Sequence, residues 1–183
     1  MDAGPTVGIM MTMKTLYLLR HAKSSWADST LGDKQRPLNS RGQQDAPTMG
    51  ERFAARGETL ERVVSSPALR ALTTAQLFSE ACGFAAEDIA LESDLYFLGS
   101  GSIEALILEQ DDRFDCLMLV FHNPDITYFA NAIDDEVRID NVPTCGLIRL
   151  VCNIEQWGDW SPATTAFDYF DFPKNPSPEV LRK

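Results

Sequence analysis

Thr15 to Leu19 is an unbroken run of apolar and β-favouring residues that ends abruptly at Arg20 and His21. A run bounded by charge, without internal polar alternation, predicts a strand buried on both faces that delivers a charged pair to its carboxyl end. Cys116 to Phe121, C-L-M-L-V-F, repeats the pattern and runs into His122-Asn123-Pro124. Shorter runs at Arg62–Ser66, Ile89–Leu91, Gly146–Asn153 and Ala166–Phe172 predict four more strands, the last of them at an edge.

Between these runs the apolar period lengthens to that of a helix. Ala46, Met49, Gly50 and Phe53 predict a helix from about Asp45 to Arg56, stopped by Gly57. Ser40 and Gln43 have capping-box spacing, but Pro47 would clash inside a helix starting there, so only a turn is expected before Asp45. Ala71, Ala75, Phe78 and Cys82 predict a second helix, capped by Ser66, opened by Pro67 and ended by Gly83. A third is expected near Ser102–Glu109. A fourth, capped by Asn123 and opened by Pro124, carries Ile126, Phe129, Ala130 and Ile133 on one face. Ser24 to Arg36 follows neither period and reads as a long functional loop.

Strands alternating with helices predict an α/β fold, a three-layer α/β/α sandwich on a mostly parallel central sheet with right-handed crossovers. Residues 14–172 are expected to form a single domain, with 1–13 as an N-terminal extension and 173–183 as a C-terminal tail. A chain of 183 residues, 44% hydrophobic, has ample material for one core.

Charge narrows the partners. A formal net charge of -11 argues against nucleic acid or an anionic membrane, since both attract basic surfaces. Any anion site must therefore be a local concentration of arginine in an acidic protein. No run of 18 apolar residues occurs, and the first 13 residues lack the charged start of a secretion signal, so a cytoplasmic location is expected. Cys82, Cys116, Cys145 and Cys152 show no C-x-x-C spacing and fall in or beside apolar runs, which favours buried free thiols in a reducing compartment.

The chemistry concentrates at strand ends. Two of them carry His21 and His122, the only histidines; the first also carries Arg20, and Arg70 lies in the first turn of the helix that follows Ser66-Pro67. Ligands of open α/β sheets bind at that edge. Two imidazoles and two guanidiniums brought together there are unfavourable unless an anion completes them. Phosphate suits the place: arginine offers it a planar fork, helix amino termini add N–H groups, and neutral imidazole can attack phosphorus near pH 7. The pattern by itself does not choose His21 over His122 as nucleophile.

Other chemistries lack their signatures. Ser65 and Ser66 have no G-x-S-x-G around them, and there is no G-x-G-x-x-G, Walker lysine loop or H-E-x-x-H. Trp26, Trp157 and Trp160 read as packing residues, and the pairs Asp111-Asp112 and Asp134-Asp135 as solvated loops.

The ordered series Arg20-His21-Ala22-Lys23, D-x-x-R-P-L-N-x-R-G from Asp33 to Gly42, Ser65-Ser66-Pro67 with Arg70 and Thr74-Ala75, and His122-Asn123-Pro124 resembles the histidine phosphatase, or phosphoglycerate mutase-like, superfamily. Within it the signatures are similar to the SixA-type phosphohistidine phosphatases, over roughly Lys14 to Asn153. The resemblance implies that His21 takes the phosphoryl group to form a phosphohistidine enzyme, that Arg20, Arg70 and His122 hold the phosphoryl oxygens, and that neither metal nor cofactor is needed. Arg36 and Asn123 would stand at the phosphate.

Mutases and many acid phosphatases of the superfamily carry a glutamate proton donor in the segment after the second arginine's helix. Here that segment reads E-S-D-L-Y-F-L-G-S-G-S, with Asp94 as the candidate donor. A phosphohistidine substrate relaxes the requirement, because imidazole leaves more readily than an alkoxide. The expected activity is thus dephosphorylation of protein phosphohistidine. The alternatives are a phosphatase of small phosphate esters with the same site and a non-catalytic phosphate- or phosphohistidine-binding module.

Overall fold

The computed structural model describes residues 13–134 and 138–175. Residues 1–12 of the expected 1–13 extension, residues 176–183 of the expected 173–183 tail, and Asp135 lie outside the described residues.

Six strands form one sheet: β1 (Lys14–Arg20), β2 (Arg62–Ser65), β3 (Ala90–Leu91), β4 (Cys116–Phe121), β5 (Leu147–Cys152) and β6 (Thr165–Asp171). Their order is β3-β2-β4-β1-β5-β6. The first four run parallel, whereas β5 and β6 are antiparallel to their neighbours. The helices are α1 (Ser40–Ala55), α2 (Leu69–Cys82), α3 (Ser100–Leu108) and α4 (Asp125–Ile133). This is the three-layer arrangement expected of the alternating pattern.

Alternation along the central strands divides the core into two layers. Leu16, Leu18, Leu117 and Leu119 face a cluster with Ile103 and Ile107 of α3 and Ile126, Phe129 and Ala130 of α4. Tyr17, Leu19, Met118 and Val120 face Ala46, Met49 and Phe53 of α1 and Ala71, Ala75 and Phe78 of α2. Gly50 permits the close approach of α1 to α2, for a Cβ there would stand 2.4 Å from the Phe78 carbonyl oxygen. Trp157 and Trp160 are core residues, while Trp26 is exposed. All four cysteines are free, but only Cys145 and Cys152 are buried; Cys82 and Cys116 are half-buried.

Three local expectations need correction. First, α1 is one helix from Ser40, with Pro47 inside it. Proline there forgoes one ladder bond, and burial of the Gly42, Ala46, Met49, Gly50 and Phe53 face outweighs that loss. Its cap is Asn39, whose side chain accepts from the Gly42 N–H, and not Ser40. Second, α2 starts at Leu69 after an extended Ala68 with no side-chain cap. Third, Pro124 takes the cap position of α4, and the Asn123 side chain bonds elsewhere.

Candidate active site

The parallel register decides what meets at the sheet edge. Arg20 pairs with Phe121, and Ser65 with Val120, so β1, β2 and β4 end level with one another. The next residues continue the lattice: the His21 N–H donates to the Phe121 carbonyl at 3.0 Å, and the Ser66 N–H to the Val120 carbonyl at 2.9 Å. His21, His122 and Ser66 are thereby placed side by side.

The two imidazoles lie 5.0 Å apart between ring centroids, and both are buried. Nδ1 of His21 is 2.8 Å from the Ala22 carbonyl oxygen, an acceptor, so Nδ1 carries the proton and Nε2 presents a lone pair. Nε2 of His122 pairs with Ser66 Oγ at 2.8 Å, and its Nδ1 is buried without a partner. Ser66 is therefore drawn to His122 instead of capping α2. Thr74 braces the segment that follows β1: its Oγ1 accepts from the Ala22 N–H at 2.9 Å and donates to the Arg70 carbonyl at 2.6 Å.

Arg20 donates through Nη1 to the Val142 carbonyl at 2.6 Å. Arg70, almost fully buried, gives Nη1 to the Asp33 carbonyl oxygen at 2.6 Å and Nη2 to the Asp33 carboxylate at 2.9 Å. The Nε atoms of both arginines are buried without partners. Arg36 is held on every side, by Asp33 through Nε and Nη2, by Ser24 Oγ through Nη1, and by Trp26, whose ring centre lies 3.6 Å from the guanidinium carbon. Asn123 donates to Asn141 Oδ1 and to the same Val142 carbonyl that Arg20 uses. Asp94 is exposed, its backbone N–H bonded to the Glu92 carboxylate.

The structure thus brings Arg20, His21, Arg70 and His122 together, with Asn123 and Arg36 beside them, and leaves Asp94 on the surface. It also brings in Asp33, Tyr96 and Phe97, to which the sequence reading gave no role. Tyr96 meets His122 edge-on at 5.5 Å, and Phe97 lies across it at 4.9 Å. Phe97 adopts a positive φ of 60°, a conformation rare for an aromatic residue. For Asp33 the D-x-x-R spacing was the available signal; for the aromatics there was none.

The chain belongs to the histidine phosphatase superfamily. The model of its branch 1 matches residues 16–128, which span β1 to α4 and include every pocket residue named above except Val142 and Asn141. The Agrobacterium tumefaciens structure that carries the name phosphohistidine phosphatase SixA is 31% identical, covers 75% of this chain and 90% of that one, and superposes with a TM-score of 0.68. A second SixA structure, complexed with tungstate, has a TM-score of 0.69 at 18% identity over 87% of this chain and 97% of that one, a likeness of fold. In sequence, the protein of Salmonella paratyphi C that carries the name phosphoglycerate mutase GpmB is 35% identical over 94 residues, 50% of this chain and 41% of that one. An uncharacterized chloroplastic protein of Arabidopsis thaliana is 30% identical over 127 residues, 68% of this chain and 54% of its own. The chain thus spans about half the length of these curated relatives.

Electrostatics keep both imidazoles neutral. Burial, reinforced by Arg70, Arg20 and Arg36, pushes His21 down to about 3 despite its bond to the Ala22 carbonyl. Burial, with His21 and Arg70 adding to it, pushes His122 down further. Since an unfolded histidine titrates near 6.5, the unfolded chain takes up more protons below that pH, and stability falls as pH drops from about 6.5 towards about 3. Each histidine contributes a slope of up to about 1.4 kcal/mol per pH unit. Urea unfolding at pH 7 and pH 5 should therefore show His21→Asn gaining about 2 kcal/mol on the wild type over that interval. Parallel losses in the two proteins would contradict a neutral buried His21.

Proposed function

We propose that this protein is a metal-independent phosphatase that works through a phosphohistidine enzyme and acts on protein phosphohistidine. The observation that carries the reading is the set of buried, unpartnered nitrogens around His21: Nε of Arg20, Nε of Arg70 and Nδ1 of His122. Buried polar atoms without partners are costly, and a tetrahedral oxyanion accepting from all three removes that cost.

In this reading Nε2 of His21 attacks phosphorus, and the bond from phosphorus to the leaving nitrogen breaks with its electron pair passing to the leaving imidazole. Water then attacks the phosphohistidine, returning His21 and releasing phosphate. Arg20, Arg70 and His122 hold the three equatorial oxygens, so positioning and charge stabilisation carry the rate. Asn123 steadies the Val142 carbonyl that orients Arg20. Arg36 acts through Asp33 and Ser24. Asp94 is exposed, with its backbone N–H on the Glu92 carboxylate, and is assigned no proton transfer in this reading, which suits a leaving group with little need of an acid.

The test is a panel under one set of conditions with excess EDTA: a phosphohistidine peptide, p-nitrophenyl phosphate and an aliphatic phosphate ester. Phosphate release should persist with chelator and be fastest, by kcat/KM, from the phosphohistidine peptide. Quenching with labelled substrate should trap an acid-labile, alkali-stable phosphoenzyme. Preference for the aliphatic ester would favour the small-ester reading, and binding with no release from any substrate would favour a non-catalytic module.

A further inference from the structure

Arginine forks in a phosphate pocket attract the nearest anion, and here that anion belongs to the protein. Asp33 lies in the loop between β1 and α1, in a short 3-10 turn at Asp33–Gln35 that nothing buries. Its side chain keeps 43% of its exposure, yet every oxygen it owns is engaged. Oδ1 accepts from Nε and Nη2 of Arg36 at 3.0 and 2.8 Å. Oδ2 accepts from Nη2 of Arg70 at 2.9 Å and from the Tyr96 hydroxyl at 2.6 Å. Its backbone oxygen takes Nη1 of Arg70 at 2.6 Å.

One residue thus joins three segments, the loop, the first turn of α2 and the 3-10 turn at Ser93–Leu95 that leads into Tyr96. The clasp is reinforced at both ends: Lys34 stands 4.5 Å over the Tyr96 ring, and Trp26 backs Arg36. Because Asp33 takes both terminal nitrogens of Arg70, the side of that guanidinium left without a protein partner is Nε.

Burial opposes ionisation of Asp33, but the bonds from Tyr96, Arg36 and Arg70 outweigh it and hold the carboxyl well below the usual range. Tyr96, raised by burial and by Asp33, keeps its proton and remains the donor. Arg20, Arg36 and Arg70 supply three positive charges and Asp33 removes one, leaving two, the charge that a phosphoryl dianion neutralises.

We propose that Asp33 is a positioning residue and internal counter-anion of the pocket: it fixes the planes of Arg36 and Arg70 for transfer and offsets one of their charges so that product phosphate can leave. The inference rests on the reading of the pocket as a phosphoryl site. A residue that only held the loop would, when replaced, weaken phosphate binding; a counter-anion, when neutralised, strengthens it.

Two variants separate charge from geometry, with p-nitrophenyl phosphate as substrate and inorganic phosphate as inhibitor. Asp33→Asn keeps the shape and loses the charge, so the inhibition constant of phosphate should fall about tenfold while kcat also falls about tenfold. Asp33→Glu keeps the charge and loses the geometry, so kcat should fall with no tightening of phosphate. Phosphate binding that is unchanged or weaker in Asp33→Asn, against an active wild type, overturns this inference alone. A wild type that neither binds phosphate nor turns over substrate overturns the phosphoryl reading as well.

Discussion

His21→Ala is expected to lower kcat by at least about 10⁴-fold while the protein stays folded. Loss on that scale follows from the division of labour in the pocket. Nδ1 of His21 is committed to the Ala22 carbonyl, so Nε2 is the free lone pair, whereas Nε2 of His122 is committed to Ser66. Removing the His21 ring leaves the arginines able to hold phosphate, with Nδ1 of His122, the other unpartnered ring nitrogen, assigned in the proposed reaction to an oxygen and not to phosphorus. The fold should survive because the ring makes one hydrogen bond, to its own neighbour, and is held neutral at a cost in acid. Phosphate release, circular dichroism and protection from thermal unfolding by inorganic phosphate check the three parts. A variant within tenfold of the wild type would move the nucleophile to His122 or end the phosphoenzyme reading.

That assignment draws on two kinds of information, and they were unequally legible in the chain. The strand ends were readable: apolar runs stopping at Arg20-His21 and at Phe121-His122 mark buried strands, and a parallel register places such ends together. The tautomers were not readable, since they depend on how the His21 ring turns to its neighbour's carbonyl and on Ser66, a contact of His122 across the fold. Ser66 illustrates the difference. Ser-Pro before a helical period reads locally as a cap, but a buried His122 needs a partner more than α2 needs a side-chain cap, and the serine goes to the histidine.

Asn123 and Arg36 repeat the lesson. Asn123 has the composition of a cap, yet its amide donates to the loop carrying Asn141 and Val142 and its Oδ1 accepts from Thr127. Arg36 looked like a phosphate ligand, and its nitrogens are instead bonded within its own loop. Pro47 is the converse case, where a local rule against proline yields to a well-packed face. Periodicity reports which faces are buried; it does not report which of several polar partners a side chain finds once buried.

The glycine closing R-P-L-N-S-R-G gives the second large expectation: Gly42→Ala should cost at least about 2 kcal/mol of stability and lower kcat roughly ten- to a hundredfold. Gly42 is the third residue of α1 and donates its N–H to the Asn39 cap at 2.9 Å. A Cβ there would stand 2.3 Å from the Lys23 carbonyl oxygen, with the Lys23 nitrogen and carbonyl carbon at 3.0 and 3.1 Å. These are backbone atoms, and the same Lys23 carbonyl accepts from the Asn39 N–H at 2.9 Å, so no rotamer change can make room. Alanine's advantage over glycine within a helix, about 1 kcal/mol at most, is outweighed. The displaced segment begins two residues after His21, which couples the clash to that imidazole. Gly101→Ala in the first turn of α3 is the control, because a Cβ there meets nothing within 4 Å. Thermal unfolding should rank Gly101→Ala at or above the wild type and Gly42→Ala well below it, with activity lost only in the latter. Equal stability and turnover in all three proteins would mean that α1 can slide away from Lys23 freely, and that the motif's glycine does not set the position of His21.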